Sequence, residues 1–526
     1  MSVSASSAEG VVCTPHPLAT EAGLVILRQG GTAAEAAIAA GAVLTVVCPH
    51  FCGLGGDGVW MVSDADGLRL SVLGIGQAAA AVPCNPTSIP QRGAGAMLTT
   101  AGLVPSWEAL LELSNDAWQK SMPLGDLLAK AQALAANGYP ISASQRFWLD
   151  YRRGDIHDWH GFAQAFLPEG LTPKVGTQFR QTNLARMLSV LANEGLESFR
   201  TGSIAAELAL GLAAAGSPIT GSDLAATSAR IETPLSLRSG DWTLFAPPPP
   251  TQGATTLLIR ALLDQVCGAN RRPANPASRF HVQVEAVKQA FLHRAGLADP
   301  DFTDQSDALP SARHIAGMAR RISRIQALHW PDQLETADTV FLAVADAKGR
   351  CVSGLQSTYF DWGSGVLVGN TGILWHNRGA AFACDESNPN GLAPGKRPFH
   401  TLNPGFAIRD DGEIILYGTQ GADGQPQTLT VILDRLLADS ADVSDALRSP
   451  RFLLGRTFSD SQDTLKIEID SGESVQNILK DMGHEVAPLP VLSPLAGQAG
   501  AVRIHRDHSK SLAHDPRGEG NAGSTG

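Results

Sequence analysis

Three stretches of the chain carry residue types able to do chemistry. The first, Glu335-Thr-Ala-Asp-Thr339, ends in a threonine at the head of a strand-like run. A threonine hydroxyl becomes an acyl-transfer nucleophile when a base stands beside it, but β-branched residues also belong on strands for packing alone. Thr339 by itself therefore decides nothing. The second, Thr419-Gln-Gly-Ala-Asp-Gly424, has glycines able to turn successive backbone N–H groups toward an anion or oxyanion. A plain strand-to-helix turn would read the same way. The third, Lys396-Arg-Pro-Phe-His-Thr-Leu-Asn403, is a basic and polar loop. It is not a phosphate loop, because Gly391-Leu-Ala-Pro-Gly-Lys-Arg397 has the wrong spacing and no hydroxyl residue after the lysine.

Other chemistries find less support. His157 and His160 have no third ligand near them in sequence, and the pair Cys48 and Cys52 has no second pair to complete a zinc site. No metal is expected. The remaining cysteines, at 13, 84, 267, 351 and 384, are scattered, and all seven read as small buried hydrophobes. There is no G-x-S-x-G elbow for a hydrolase serine. Lys and Arg number 40 against 51 Asp and Glu, and the net charge of -11 argues against a nucleic-acid partner.

The elements that must position these residues differ between the two parts of the chain. Of 526 residues, 44% are hydrophobic and 17% charged, which excludes disorder, collagen and coiled coil. Residues 17–47 read as two Ala-rich helices joined at Gly30-Gly31, with Thr32 and Glu35 as a capping box on the second. Gly53-Leu-Gly-Gly-Asp-Gly58 leads into a strand, Val59–Val62, which is the wrong order for a dinucleotide fingerprint. Residues 105–140 and 180–215 are helical by period, and Pro247–Pro250 form a stiff stop before a helix over Thr255–Val266. After Pro331 the texture turns to strands: Thr339–Ala345, a hairpin turn at Asp346–Gly349, then Cys351–Ser357. The polar, Gly-rich end from Asp507 to Gly526 is expected to be extended or mobile. Helices covering two packed sheets make a four-layer α/β architecture. The start of the chain has no secretory pattern and no stretch is long enough to span a membrane, so a cytoplasmic protein without a membrane partner is expected.

Taken together, an ordered series of segments resembles the γ-glutamyltranspeptidase family of N-terminal-nucleophile hydrolases. The series is Gly30–Ala37, Val46–His50, Gly53–Gly58, Pro247–Pro250, Asp338-Thr339, Gly363–Gly365, Gly372–Asn377, Lys396–Pro398, Gly421–Gly424 and Asp515–Arg517. The resemblance implies an αββα sandwich made as a precursor that cuts itself between Asp338 and Thr339. Residues 1–338 would then form a large chain and residues 339–526 a small one, the two associating within one αββα domain. A dimer of such pairs suits an enzyme of this size. No cofactor is implied. Thr339 takes the nucleophile's place, Gly421 and Ala422 match the oxyanion-hole pair, and Ser357 falls where a hydroxyl supports the nucleophile.

Departures from the family pattern point to the substrate. The arginine that holds a glutamyl α-carboxylate is missing from Gly74-Ile-Gly-Gln-Ala78, and the acidic residues that hold its amino group are replaced in His376-Asn-Arg-Gly-Ala-Ala-Phe382. The family's paired serines become His400-Thr401, and an expected asparagine becomes Tyr359. Substrate contacts are therefore expected from Arg378, His400, Thr401, Tyr359 and Asn377, with Lys396 nearby. Such a pocket favours an anionic group without an ammonium; the alternative for Arg378, of equal weight, is a structural role clasping Asp385 or a carbonyl. The strings around Arg378, Arg397–Pro404 and Gly424–Gln427 look most like the branch of oxamate-cleaving amidohydrolases. The expected function is a self-processing threonine amidohydrolase acting on a small carboxylate-bearing amide. The alternatives are a γ-glutamyltransferase or glutathione hydrolase, an acylase for dicarboxylic β-lactam side chains, and a scaffold that no longer processes, since Val340 and Phe341 replace the residues that usually follow the nucleophile.

Overall fold

A computed structural model describes residues 3–83, 86–269, 271–330, 339–457 and 460–526. The part before residue 331 supplies strands β1 (Val3–Ala5), β2 (Val11–Thr14), β3 (Asp57–Ser63), β4 (Arg69–Gly74), β5 (Arg230–Glu232), β6 (Leu235–Ser239) and β7 (Trp242–Ala246). The part from Thr339 supplies β8 (Val340–Ala345), β9 (Cys351–Ser357), β10 (Gly405–Arg409), β11 (Ile414–Thr419), β12 (Ala499–Ile504), β13 (Lys510–His514) and β14 (Asn521–Ser524). Among the described residues these make two seven-stranded sheets. One runs β1-β13-β12-β11-β10-β7-β6 and the other β14-β2-β8-β9-β3-β4-β5. Every pairing in both is antiparallel.

Side-chain alternation along the strands builds the layers. In β8, Phe341, Ala343 and Ala345 point between the sheets, where they meet Phe406, Leu416 and Val502 of the other sheet. Val340, Leu342 and Val344 point outward into a separate cluster with α1 (Pro17–Arg28) and α2 (Ala33–Val47). All of α2 is buried, and its alanines let it lie close to the sheet. Thr32 and Glu35 form the capping box expected of them. The short α3 (Ala143–Tyr151) adds Trp148 and Leu149 to the same cluster. On the far side, α4 (Gly253–Cys267) and α6 (Gln425–Leu433) cover the other sheet through Leu257, Leu429 and Ile432, and α5 (Pro276–Arg294) packs outside α4. Helix, sheet, sheet, helix is the αββα order expected.

Several expectations change. The helical stretch 105–140 divides into Leu103–Trp118 and Leu124–Asn137, with Gln119 left-handed at the break, and 180–215 divides into Thr182–Glu194 and Ser203–Ala215. The end of the chain is not loose. Lys510–His514 is buried in one sheet and Asn521–Ser524 is an edge strand of the other, held by backbone ladders and by Leu512, Ala513 and Ala522 in the core. Cys13, Cys48, Cys52 and Cys351 are buried as expected, whereas Cys267 and Cys384 are half-buried and Cys84 lies outside the described residues. No helix among the described residues is long and apolar enough to cross a membrane.

Candidate active site

The register of β8 and β9 sets Val340 opposite Gln356, so the residue before β8 meets the last residue of β9. These are Thr339 and Ser357. Alternation turns both toward the space between the sheets, and both are buried. The Thr339 hydroxyl donates to Ser357 Oγ (3.3 Å), which also accepts from the Tyr359 backbone N–H (2.8 Å). Gly56 makes this approach possible: a Cβ there would stand 2.5 Å from the Ser357 carbonyl oxygen. Asp338 lies outside the described residues.

The glycine strap forms where β11 ends. Gly421 has φ 118° and Ala422 φ 41°, a left-handed conformation that costs an alanine about 1–2 kcal/mol. Gly424 N–H closes the turn on Gly421 O (2.6 Å), a bond that uses neither the Gly421 nor the Ala422 N–H. Gln252, which caps α4 after the proline run, holds the strap in place. Its Nε2 donates to Ala422 O (2.7 Å) and to Thr401 O (2.6 Å), and its Oε1 accepts from Arg294 Nη1 (3.3 Å). Arg294 also pairs with Asp423.

Arg378 is 1% exposed. Its guanidinium lies 3.8 Å from the centroid of the Tyr359 ring, and Nη1 donates to Thr401 Oγ1 (3.3 Å). Nε and Nη2 have no hydrogen-bond partner. Burial pulls its pKa down to about 10, opposed by Tyr359, Asp57 and Asp423, so the group stays charged at neutral pH. Asp385 does not clasp it, being exposed and bonded to Ser387. A buried cation with two unanswered donors is costly unless an anion joins it.

Beneath Arg378 lies a network that sequence inspection missed. Asp57, fully buried in the Gly53–Gly58 run, accepts from Gly76 N and Gly102 N (3.0 Å each) and from His400 Nε2 (3.0 Å), with His376 Nδ1 at 3.3 Å. Burial raises the Asp57 pKa, but His376 and His400 outweigh it and hold the carboxylate well below its usual range. His400 is itself lowered to about 4, by burial and then by Arg378, and is neutral at pH 7. Its Nδ1 accepts from Leu402 N (3.3 Å), so Nε2 carries the proton given to Asp57. Both nitrogens are thus committed. Asn377 is committed too, accepting from Phe360 N (3.2 Å) and donating to Gln91 O (2.6 Å). Both side chains thus satisfy buried backbone or carboxylate groups. Lys396 likewise donates to Pro389 O (2.8 Å), and Arg397 grips Asp299 (2.6 Å). Thr401 and Tyr359 meet at Arg378.

One group with metal-ligand types, His281, Glu285 and His484, sits elsewhere. Its atoms already satisfy one another and their neighbours: His281 Nδ1 lies 2.8 Å from His484 Nε2, and Glu285 accepts from Lys288 Nζ (2.8 Å) and Leu328 N (3.0 Å).

Contacts therefore run in series through Thr339, Ser357, Tyr359, Arg378, Thr401, Gln252 and Ala422. Thr339, Arg378 and the glycine strap are joined by these contacts. A family model described as gamma-glutamyltranspeptidase matches residues 19–525. The chain is 39% identical to the oxamate amidohydrolase proenzyme of Klebsiella pneumoniae, over 98% of each chain. It is 35% identical to a glutathione hydrolase-like proenzyme of Bacillus subtilis, over 99% of each. Among solved structures, cephalosporin acylase from Bacillus halodurans superposes with a TM-score of 0.90 at 27% identity, covering 99% of this chain and 96% of that one. The chain belongs to the γ-glutamyltranspeptidase family of N-terminal-nucleophile hydrolases, enzymes that cleave linear amide C–N bonds.

Proposed function

We propose that the protein is a self-processing threonine amidohydrolase for a small amide carrying a carboxylate, oxamate being the type. The observation that carries this reading is Arg378, buried and with two unanswered donors, linked through Tyr359 and Ser357 to Thr339. A planar carboxylate answers a guanidinium edge with two parallel hydrogen bonds. The carboxylates that act on Arg378 from nearby, Asp57 and Asp423, are held by His400 and by Arg294 rather than by an ion pair with Arg378. The names of relatives, one an oxamate amidohydrolase and both proenzymes, point the same way.

In this reading Thr339 Oγ first attacks the Asp338 carbonyl, the 338–339 peptide bond breaks, and water hydrolyses the resulting ester. Chains 1–338 and 339–526 remain associated. The freed α-amine, with an ordinary pKa near 8, then takes the Thr339 proton as the hydroxyl attacks a substrate amide. Backbone N–H groups of Gly421 and Ala422 stabilise the oxyanion. The nitrogen leaves with the proton as ammonia, and water activated by the same amine releases the acid. Ser357 orients the nucleophile, Arg378 with Thr401 and Tyr359 binds the carboxylate, and Asn377 and His400 hold the walls.

Intact mass of the wild type beside Thr339→Ala tests the first half. Two fragments meeting at 338/339 in the wild type and one chain in the variant are expected; a lasting single wild-type chain leaves the enzyme without its base and favours the scaffold. Ammonia release from oxamate, with none from glutathione, is expected next. The reverse preference would return the protein to γ-glutamyl chemistry.

A further inference from the structure

Thr339 directly precedes β8, which lies between β9 on one side and β2 on the other. Ser357, Tyr359 and Arg378 stand on the β9 side. On the other, the antiparallel register of Ala343 with Cys13 carries the chain beyond β2, through Pro15 and His16, toward the Thr339 end of β8. A cavity of about 540 Å³ opens there. Its walls include His16, His50, Phe51, Phe147, Trp148 and Gln420. Gln420 directly precedes Gly421, so the cavity reaches the strap from the β2 side.

The lining carries three aromatic rings, Phe51, Phe147 and Trp148, and two charged residues, Arg517 and Glu519. Phe51 and Phe147 both meet the Trp148 ring edge-on, at 6.1 Å and 5.4 Å between centroids. Phe147 is 49% exposed at the mouth. The charged groups nearby are committed elsewhere: Glu519 accepts from Ala143 N and Ser144 N (3.2 Å each), and Arg517 is paired with Glu468 and Asp515. Burial holds His16 and His50 neutral at pH 7, with pKa values near 4 and 3. His50 Nε2 lies 3.0 Å from Ser144 Oγ, and its buried Nδ1 has no partner.

An amide substrate has two ends. With its acyl carboxylate on Arg378, its nitrogen end faces the other side of Thr339. The nitrogen of oxamate bears only hydrogen and leaves this volume unfilled, whereas 540 Å³ accommodates a ring system. We propose that the cavity is a leaving-group site and that the enzyme hydrolyses N-aryl monoamides of short dicarboxylic acids, N-phenyloxamate being the simplest. This rests on the carboxylate role of Arg378 given above. Thr339 Oγ bonds to the acyl carbon, the C–N bond breaks, and aniline departs with the proton that the α-amine took from the hydroxyl. Water then splits the ester to oxalate and restores Thr339.

The test compares aniline release from N-phenyloxamate with ammonia release from oxamate by the processed enzyme. N-phenyloxamate is expected to have the higher kcat/KM. Phe147→Ala, a change at an exposed position, is expected to raise KM for N-phenyloxamate about tenfold by removing one aromatic contact while leaving oxamate unchanged. Leu495→Trp, which narrows the same cavity, should act the same way. Turnover of oxamate but not of N-phenyloxamate would overturn the leaving-group site alone, as would variants that change both substrates equally. Turnover of neither would overturn the carboxylate reading and this inference with it.

Discussion

Replacing Arg378 by methionine separates function from stability in a way few substitutions do. Burial draws the guanidinium pKa from its ordinary value down to about 10, a drop equivalent to about 3 kcal/mol. The sign follows from the direction: the folded protein disfavours the cation, the cost is fully present below pH 10, and it fades as the pH rises beyond. Methionine removes that cost and fills similar space. Against this stand the Tyr359 contact, worth about 1–2 kcal/mol in a dry site, and the weak bond to Thr401. The variant should therefore be more stable than the wild type by about 1–2 kcal/mol, a rise of a few degrees at most in apparent Tm at a fixed scan rate. Its activity should collapse. Losing one partner of a buried charge pair costs about 2–5 kcal/mol, or roughly thirty- to several-thousand-fold in kcat/KM for oxamate. Oxalate, the product, supplies the cross-check: at a hundred times its Kd it should stabilise the wild type by about 2.7 kcal/mol and Arg378→Met hardly at all. A variant less stable than the wild type that keeps the full oxalate response would show Arg378 to be a structural residue, and the reasoning would fall.

Other outcomes follow from the same geometry. Gln252→Leu keeps the size of the side chain but frees Ala422 O and Thr401 O, and kcat should fall about ten- to a hundredfold, as for loss of oxyanion preorganisation, with KM less affected. A change confined to KM would contradict a role on the strap. Ser357→Ala should slow the appearance of the two fragments on a gel several-fold without abolishing it, because Thr339 keeps its hydroxyl; unchanged processing would remove Ser357 from the machinery. The profile of kcat/KM for oxamate against pH should rise to a plateau as the α-amine loses its proton near pH 8, and fall again near pH 10 as Arg378 loses its charge. The falling limb should be absent for an uncharged amide.

Legibility in the sequence tracked distance along the chain. The capping box of Thr32 and Glu35 spans four residues and could be read directly, as could the strands that bring Thr339 to Ser357, joined by one hairpin. Arg378 was visible as a charge out of place, but its freedom from Asp385 was a matter of geometry. Asp57 and His400 are 343 positions apart, and nothing local in Gly53–Gly58 marks the aspartate as the anchor of a buried pair. Gln252 was hidden for the same reason, reading as a turn residue after prolines until both its carbonyl partners were in place. The last strands went unseen because they are short and their few core side chains, Leu512, Ala513 and Ala522, are set among polar residues and glycines that mask any period.

Strand order gives the proposed cut at Thr339 a lasting consequence. In the sheet β14-β2-β8-β9-β3-β4-β5, strands from before and after the cut are interleaved, and the other sheet likewise places β1 beside β13 and β7 beside β10. Neither fragment owns a sheet. Folding the uncut chain is a unimolecular search, whereas rebuilding the cut protein would require two unfolded partners to meet and thread their strands into one another at low concentration. The mature enzyme should be a one-way product: durable while folded, and unable to return once denatured, with a memory of its precursor that only the intact chain carries.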